Sequence, residues 1–289
     1  TAWPAMKRNP LPQRRPKVQK RKADKAAKIT QKNPTPPCAA IPKMKSLKNK
    51  ISESIASYTA RTGTAPQRPG AVLFDMDGVL YNSMPFHARS WNLLFSEIGI
   101  DMPEQEVYLH EGRTGASTVT AIFERELHRQ PTEDEILRLY RRKTELFAGM
   151  GAVKVMTGAR ETVNICRRAG ATTVIVTGSG QGTLLDRLDS DFDCAFPAPS
   201  QRITAYDVTH GKPDPEPYLK GIAKAGTSPW QSVGIDNAPL GVESSSRAGL
   251  FTIGVNTGPL PSGTLKAAGA DLELDSMEEC AEALGILLL

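Results

Sequence analysis

Apolar and polar positions follow two different rhythms along this chain, and the switch between them divides it into parts. Ala71-Val72-Leu73-Phe74 is a short unbroken apolar run, and Thr172 to Thr177, Ser232 to Asp236 and Leu250 to Val255 are similar runs rich in β-branched residues. Runs of this length and composition read as strands buried on both faces. A shorter edge strand is expected near Asp193 to Phe196. Helical spacing fills the intervals, at Gln181 to Asp189, Pro215 to Ala225, Pro239 to Ala248 and Met277 to Leu284. Strands alternating with helices predict an α/β fold with a doubly wound parallel sheet.

Between Asp75 and Thr177 the strand rhythm stops. Pro85 to Ile98 places Phe86, Trp91, Leu94, Phe95 and Ile98 at helical spacing, and Thr114 to Leu127 follows. Thr132 to Phe147 then opens with Thr132 and Glu135 in a capping-box pattern. We therefore expect an inserted four-helix cap over 85–156, whose aromatic and leucine stripes form its own core. The α/β core takes 71–84 and 157–289, with Ala159 to Arg168 as the helix returning to it. Ahead of the core, Leu47, Ile51, Ile55 and Tyr58 predict an amphipathic helix, which with a Pro/Gly linker makes up 44–70.

Composition changes this picture at the amino end. The chain has 289 residues, 39% of them hydrophobic, and a net charge of +5. The first 50 residues hold fifteen Lys/Arg against the single acid Asp24, leaving the remainder net acidic. Residues 1–43 are also proline-rich and lack periodicity, so a disordered basic extension is expected, with Met44 as the natural start. Such a tail can hold nucleic acid electrostatically, but a basic run alone is weak evidence, and a nucleic-acid partner is not expected. No run of 18 apolar residues suggests a membrane span, and no signal peptide precedes the fold. Cys38, Cys166, Cys194 and Cys280 are too scattered for a zinc site or a disulfide framework, which points to free thiols in a cytoplasmic protein. A monomer is expected.

The chemistry gathers at the ends of the strand-like runs. Asp75 and Asp77 close the first run, and period 2 points both carboxylates the same way, at the carboxyl end where open α/β sheets bind ligands. Two neighbouring carboxylates can divide nucleophilic and acid/base work at phosphorus. Thr177-Gly178-Ser179 ends the next run with hydroxyls and free amides that suit phosphate oxygens. Lys212 lies in a proline-stiffened turn, where it can neutralise phosphate and nucleophile charge. Asp236, followed by Asn237, ends a further strand and can complete an oxygen-ligand Mg²⁺ site.

Acid pair, hydroxyl, lysine and acid, in that order, resemble the four motifs of the haloacid dehalogenase (HAD) superfamily over roughly Ala71 to Leu284. The long insertion between the first two motifs, together with Asp236-Asn237-Ala238-Pro239-Leu240-Gly241-Val242, is similar to the β-phosphoglucomutase-like group. The resemblance implies a Rossmannoid core in which Asp75 is the nucleophile that forms an aspartyl-phosphate and Asp77 is the general acid/base. Thr177 and Lys212 would hold the transferring group. Mg²⁺ would be held by Asp75, Asp77 through its backbone carbonyl, and Asp236. Asn237 stands where a second acid is usual and leaves the metal site one charge short. The cap loop Glu111-Gly112-Arg113-Thr114 is where the family contacts the rest of the substrate, and His87 occupies a place where mutase members carry a histidine. The expected activity is a Mg²⁺-dependent phosphohydrolase of small phosphorylated metabolites, with inorganic pyrophosphate as one candidate substrate. A hexose-phosphate mutase is the alternative. From another class, the alternative is a binding protein that keeps the fold without catalysis.

Overall fold

A computed structural model describes residues 40–179 and 182–288, and those from Ser46 onward form one compact unit. The expected disordered extension lies outside the described residues except at its end. Helix α1 spans Ala40–Thr62, so Met44 lies within it.

Six strands form one parallel sheet: β1 Ala71–Phe74, β2 Thr172–Val176, β3 Arg202–Ile203, β4 Ser232–Asp236, β5 Phe251–Val255 and β6 Leu272–Leu274. Their spatial order is β3-β2-β1-β4-β5-β6. β1 is central, pairing Phe74 with Ile175 on one side and with Ile235 on the other. Its alternating side chains serve two layers. Val72 and Phe74 join the cluster under α1, α6 (Ala159–Arg168) and α12 (Met277–Leu287), while Ala71 and Leu73 join the opposite cluster under α9 (Glu216–Ala225). Burying each large side chain of β1 contributes about 1.5–3 kcal/mol, which fixes the carboxyl end of the strand where the acids emerge.

The insertion holds α2 (Met84–Glu97), α3 (Glu104–His110), α4 (Gly115–Leu127) and α5 (Glu133–Ala148), packed around Trp91, Leu94, Phe95, Val119, Ile122 and Leu139. Thr132 caps α5 in a full capping box with Glu135. Two of the expected stripe residues leave the insertion's core: Phe86 packs on the α/β cluster beside Phe147, and Ile98 is 37% exposed. The two connections to the insertion run side by side, with the Asn82 amide donating to Lys154 O and the Met156 amide to Leu80 O.

Two local expectations fail. Residues 193–196 are not a strand, because Asp193 and Cys194 take left-handed φ of 49° and 56° and turn the chain so that Phe196 packs edge-on to Phe74. The edge strand is β3, which starts further on at Arg202. The single helix expected over Gln181 to Asp189 is two short ones, α7 (Gly182–Leu185) and α8 (Leu188–Asp191). Short β6 and α11 (Thr264–Ala267) lie outside the expected elements, since they carry too few residues to show a period. Among the described residues, no helix is long and apolar enough to cross a membrane.

Candidate active site

The sheet register places the acids together. The Asp75 amide donates to Ile235 O at 2.9 Å, so the residue after β1 lies level with Asp236 at the end of β4. Lys212 reaches between them: its ammonium donates to Asp75 Oδ1 at 2.6 Å and to Asp236 Oδ2 at 2.7 Å. All three are almost fully buried. Burial pushes the Asp75 carboxyl up to about 7; Lys212 opposes this, and Asp236 and Asp77 add to it. Burial also works against the Lys212 charge, but the two carboxylates outweigh it and hold the ammonium above its ordinary value. Gly78, at φ +80°, follows the pair because a Cβ there would overlap the Asn237 amide.

Asp77 belongs to a different network. Its Oδ1 accepts from Ser83 Oγ at 2.6 Å and faces His87 Nε2 at 2.9 Å, while its Oδ2 is buried without a partner. Lys143, on α5, sits 2.6 Å from His87 Nδ1. A charged lysine can only donate, so Nδ1 accepts and Nε2–H donates to Asp77, which fixes the tautomer. Burial would raise the Asp77 carboxyl, but His87, Ser83 and Lys143 more than offset it and keep it below the usual range. Burial and Lys143 push the imidazole down, and Asp77 opposes them. Burial brings the Lys143 ammonium down to about 8, with Asp77 and Glu111 opposing.

The loop after β2 faces the loop between α3 and α4. Thr177 Oγ1 accepts from the Ser179 amide at 3.0 Å. A Cβ on Gly178 would lie 2.6 Å from Gly112 O and 2.9 Å from Arg113 O, so the two loops meet backbone to backbone. Gly112, at φ +91°, packs beside the Lys212 side chain, and Thr114 caps α4 through the Ser117 amide. Glu111, half-buried, is raised to about 8 by burial and by the nearby Asp77 and Asp75, with Lys143 and Lys212 opposing. Arg113 Nε is buried without a hydrogen-bond partner. The space left under this loop is about 30 Å³, bounded by His87, Glu111, Arg113, Lys143, Gly178 and Ser179 among others. That holds one or two waters.

The donors around the acid pair suit a hard cation. Asn237 Oδ1 and Asp77 Oδ2 are buried oxygens that lack partners, and the Asn237 amide lies against Gly78, which follows the acid pair. Among the described residues, no three His, Cys, Asp or Glu side chains converge as a metal nest. An ion here must therefore draw on amide or backbone oxygens, which Mg²⁺ accepts and softer ions do not favour. Asp236, expected among the ligands, turns its oxygens to Lys212, Tyr218 and the Ala238 amide.

The family model for haloacid dehalogenase-like hydrolases matches residues 69–249. The chain belongs to this family. Hexitol phosphatase A of Escherichia coli is 29% identical over 208 residues, covering 72% of this chain and 91% of the relative. Protein CbbY of Cereibacter sphaeroides is 28% identical over 226 residues, 75% of this chain and 96% of that one. A solved structure described as a candidate β-phosphoglucomutase from Bacteroides vulgatus superposes with a TM-score of 0.79 at 43% identity, over 83% of this chain and 98% of that chain. This HAD-like hydrolase is an enzyme, and the alternative of a fold emptied of catalysis is set aside.

Asp75, Asp77, Thr177, Gly178, Ser179, Lys212, Asp236 and Asn237 come together at the carboxyl end of the sheet, with His87, Glu111, Arg113 and Thr114 brought over them by the insertion. Sequence reasoning misses two buried members of this HAD-like site. Lys143 falls within the helix expected over Thr132 to Phe147, and a lysine on the stripe Leu139, Lys143, Phe147 is the signal that could have found it. Tyr218 falls within the helix expected over Pro215 to Ala225, and nothing in the sequence marks its hydroxyl.

Proposed function

We propose that this enzyme is a Mg²⁺-dependent phosphohydrolase of small phosphorylated metabolites, sugar phosphates foremost, working through an aspartyl-phosphate on Asp75. The observation that carries this reading is the division of the acid pair: Asp75 is tied to the Lys212 cation, and Asp77 is tied to His87 and Ser83. An Asp75 oxygen attacks phosphorus, the bond from phosphorus to the leaving oxygen breaks, and that oxygen takes a proton through Asp77, which draws it from the phosphate monoanion of the incoming substrate. Water then attacks the aspartyl-phosphate while Asp77 takes its proton, which frees phosphate and restores Asp75. The bonds from His87 and Ser83 hold Asp77 ionised and suited to the second step. Lys212, Thr177 and the Gly178–Ser179 amides keep the phosphoryl oxygens in line, and positioning with charge balance supplies most of the rate in this chemistry.

Mg²⁺, when bound, supplies charge neutralisation between the carboxylates and the substrate. Asp75, Asp77 and Asn237 would hold it, and Asp236 would contribute only through the lone pairs its present partners leave. A second reading takes inorganic pyrophosphate as substrate, with the Arg113 guanidinium, whose Nε is buried without a hydrogen-bond partner, available to the distal phosphate.

Phosphate release should be measured with Mg²⁺ across pyrophosphate and a panel of sugar phosphates, with Asp75→Asn as blank. Sugar-phosphate turnover supports the first reading, and rapid pyrophosphate turnover alone supports the second. No release from any substrate, with interconversion of glucose 1-phosphate and glucose 6-phosphate, would replace both with a mutase.

A further inference from the structure

Asp236 is the most heavily bonded carboxylate of the site. Its Oδ2 accepts from Lys212 Nζ at 2.7 Å and from the Tyr218 hydroxyl at 2.7 Å, and its Oδ1 accepts from the Ala238 amide at 3.1 Å. The remaining side is closed by α10 (Pro239–Arg247), where a Cβ on Gly241 would overlap the carboxylate. The Tyr218 ring lies beneath the same ammonium, with its centroid 5.4 Å from Lys212 Nζ. Tyr218, Lys212 and Asp236 are each no more than 3% exposed.

We propose that Tyr218 is a positioning residue for the lysine that serves the nucleophile: its hydroxyl and the Ala238 amide lock Asp236 as the seat of the Lys212 ammonium. The proposal rests on the phosphoryl-transfer reading above. A lysine side chain is a point charge on a flexible four-carbon stem and does not hold a position by itself. Two carboxylates compete for this one. The phenol takes up part of the charge on Asp236 Oδ2, which keeps the ammonium from being drawn wholly onto Asp236 and leaves it 2.6 Å from Asp75 Oδ1. Without the hydroxyl, Oδ2 keeps one donor instead of two and pulls the ammonium away from Asp75. The ring contributes separately, as a floor under the lysine, and phenylalanine preserves it.

The test compares Tyr218→Phe, Asp236→Asn and the double variant, by kinetics of phosphate release and by ¹H–¹⁵N spectra of the lysine ammonium groups. Lys212→Met identifies the Lys212 signal. Tyr218→Phe should displace that signal and lower kcat by about tenfold with KM nearly unchanged, the size expected for one hydrogen bond to a charged group. In the Asp236→Asn background, Tyr218→Phe should add nothing, because the partner it acts through is gone. An unmoved Lys212 signal in Tyr218→Phe, or kcat losses that multiply in the double variant, would overturn the proposal. Should the unaltered enzyme release no phosphate from any substrate, the functional reading fails by itself, and the ammonium signal still decides whether Tyr218 sets the lysine.

Discussion

Lys143 is a cation on the apolar stripe of a helix, so Lys143→Met measures what the site costs the fold. Burial lowers its folded-state value from 10.5 to about 8. Below that pH both folded and unfolded chains carry the proton, and the folded state bears the whole penalty. Between about 8 and 10.5 the unfolded chain binds more protons, so the enzyme gains stability as pH rises, and above that range the penalty is gone. At about 1.36 kcal/mol per pH unit the penalty is roughly 3 kcal/mol. Against this, methionine loses the hydrogen bond to His87 Nδ1 and leaves that nitrogen bare, at about 1–2 kcal/mol. The variant should therefore be more stable than the parent by about 1–2 kcal/mol near pH 7 and less stable by a similar amount near pH 10.5. Its kcat should fall because the tautomer of His87 is no longer fixed. Urea unfolding followed by tryptophan fluorescence, on both proteins at several pH values across this range, follows the lysine together with the shifts its loss causes in His87, Asp77 and Glu111. A stability difference that stays constant with pH would refute the reasoning.

Gly178→Ala puts a methyl group 2.6 Å from Gly112 O; it should cut kcat/KM by at least about tenfold with little change in Tm, because it obstructs the loop contact and not the core. Wild-type kcat/KM in this variant would show that the contact is dispensable. Arg61→Met removes the Nη2 donor shared by both carboxylate oxygens of Asp271, whose side chain is only 3% exposed, and should destabilise by about 1–2 kcal/mol, since the Thr252 amide remains and Arg61 is itself partly solvated. Urea midpoints check this, and an unchanged midpoint removes the pair from the stability of α1. Chelation of divalent ions should stop phosphate release and added Mg²⁺ should restore it, while turnover that survives chelation excludes an ion-dependent step.

Much of the core is legible in the sequence because Asp75, Thr177 and Asp236 each end or directly follow a strand that reads as a short apolar or β-branched run. The register of β1 with its two neighbours then brings Asp75 and Asp236 level. The edge escapes such reading because Phe196 is apolar for packing against Phe74 and not for pairing, and the left-handed turn at Asp193 and Cys194 carries no glycine to announce it. The network behind Asp77 is only half legible. His87 is visible at its spacing, but Lys143 reaches it from 56 residues away, and only the packing of α2 against α5 brings them together. Tyr218 is hidden for a similar reason: periodicity reports that a side chain is inside, and nothing about what its polar tip touches.

The central position of β1 has a consequence for how the molecule is made. Its two partners lie about 100 and about 160 residues further along the chain. A growing chain therefore presents an apolar strand with two open edges throughout synthesis of the insertion, whose helices can bury their own cluster without it. The first edge closes when β2 arrives and the second only with β4. Until then β1 is a template for pairing with other chains, and nascent chains halted before Ser232 should be the forms that most depend on chaperones.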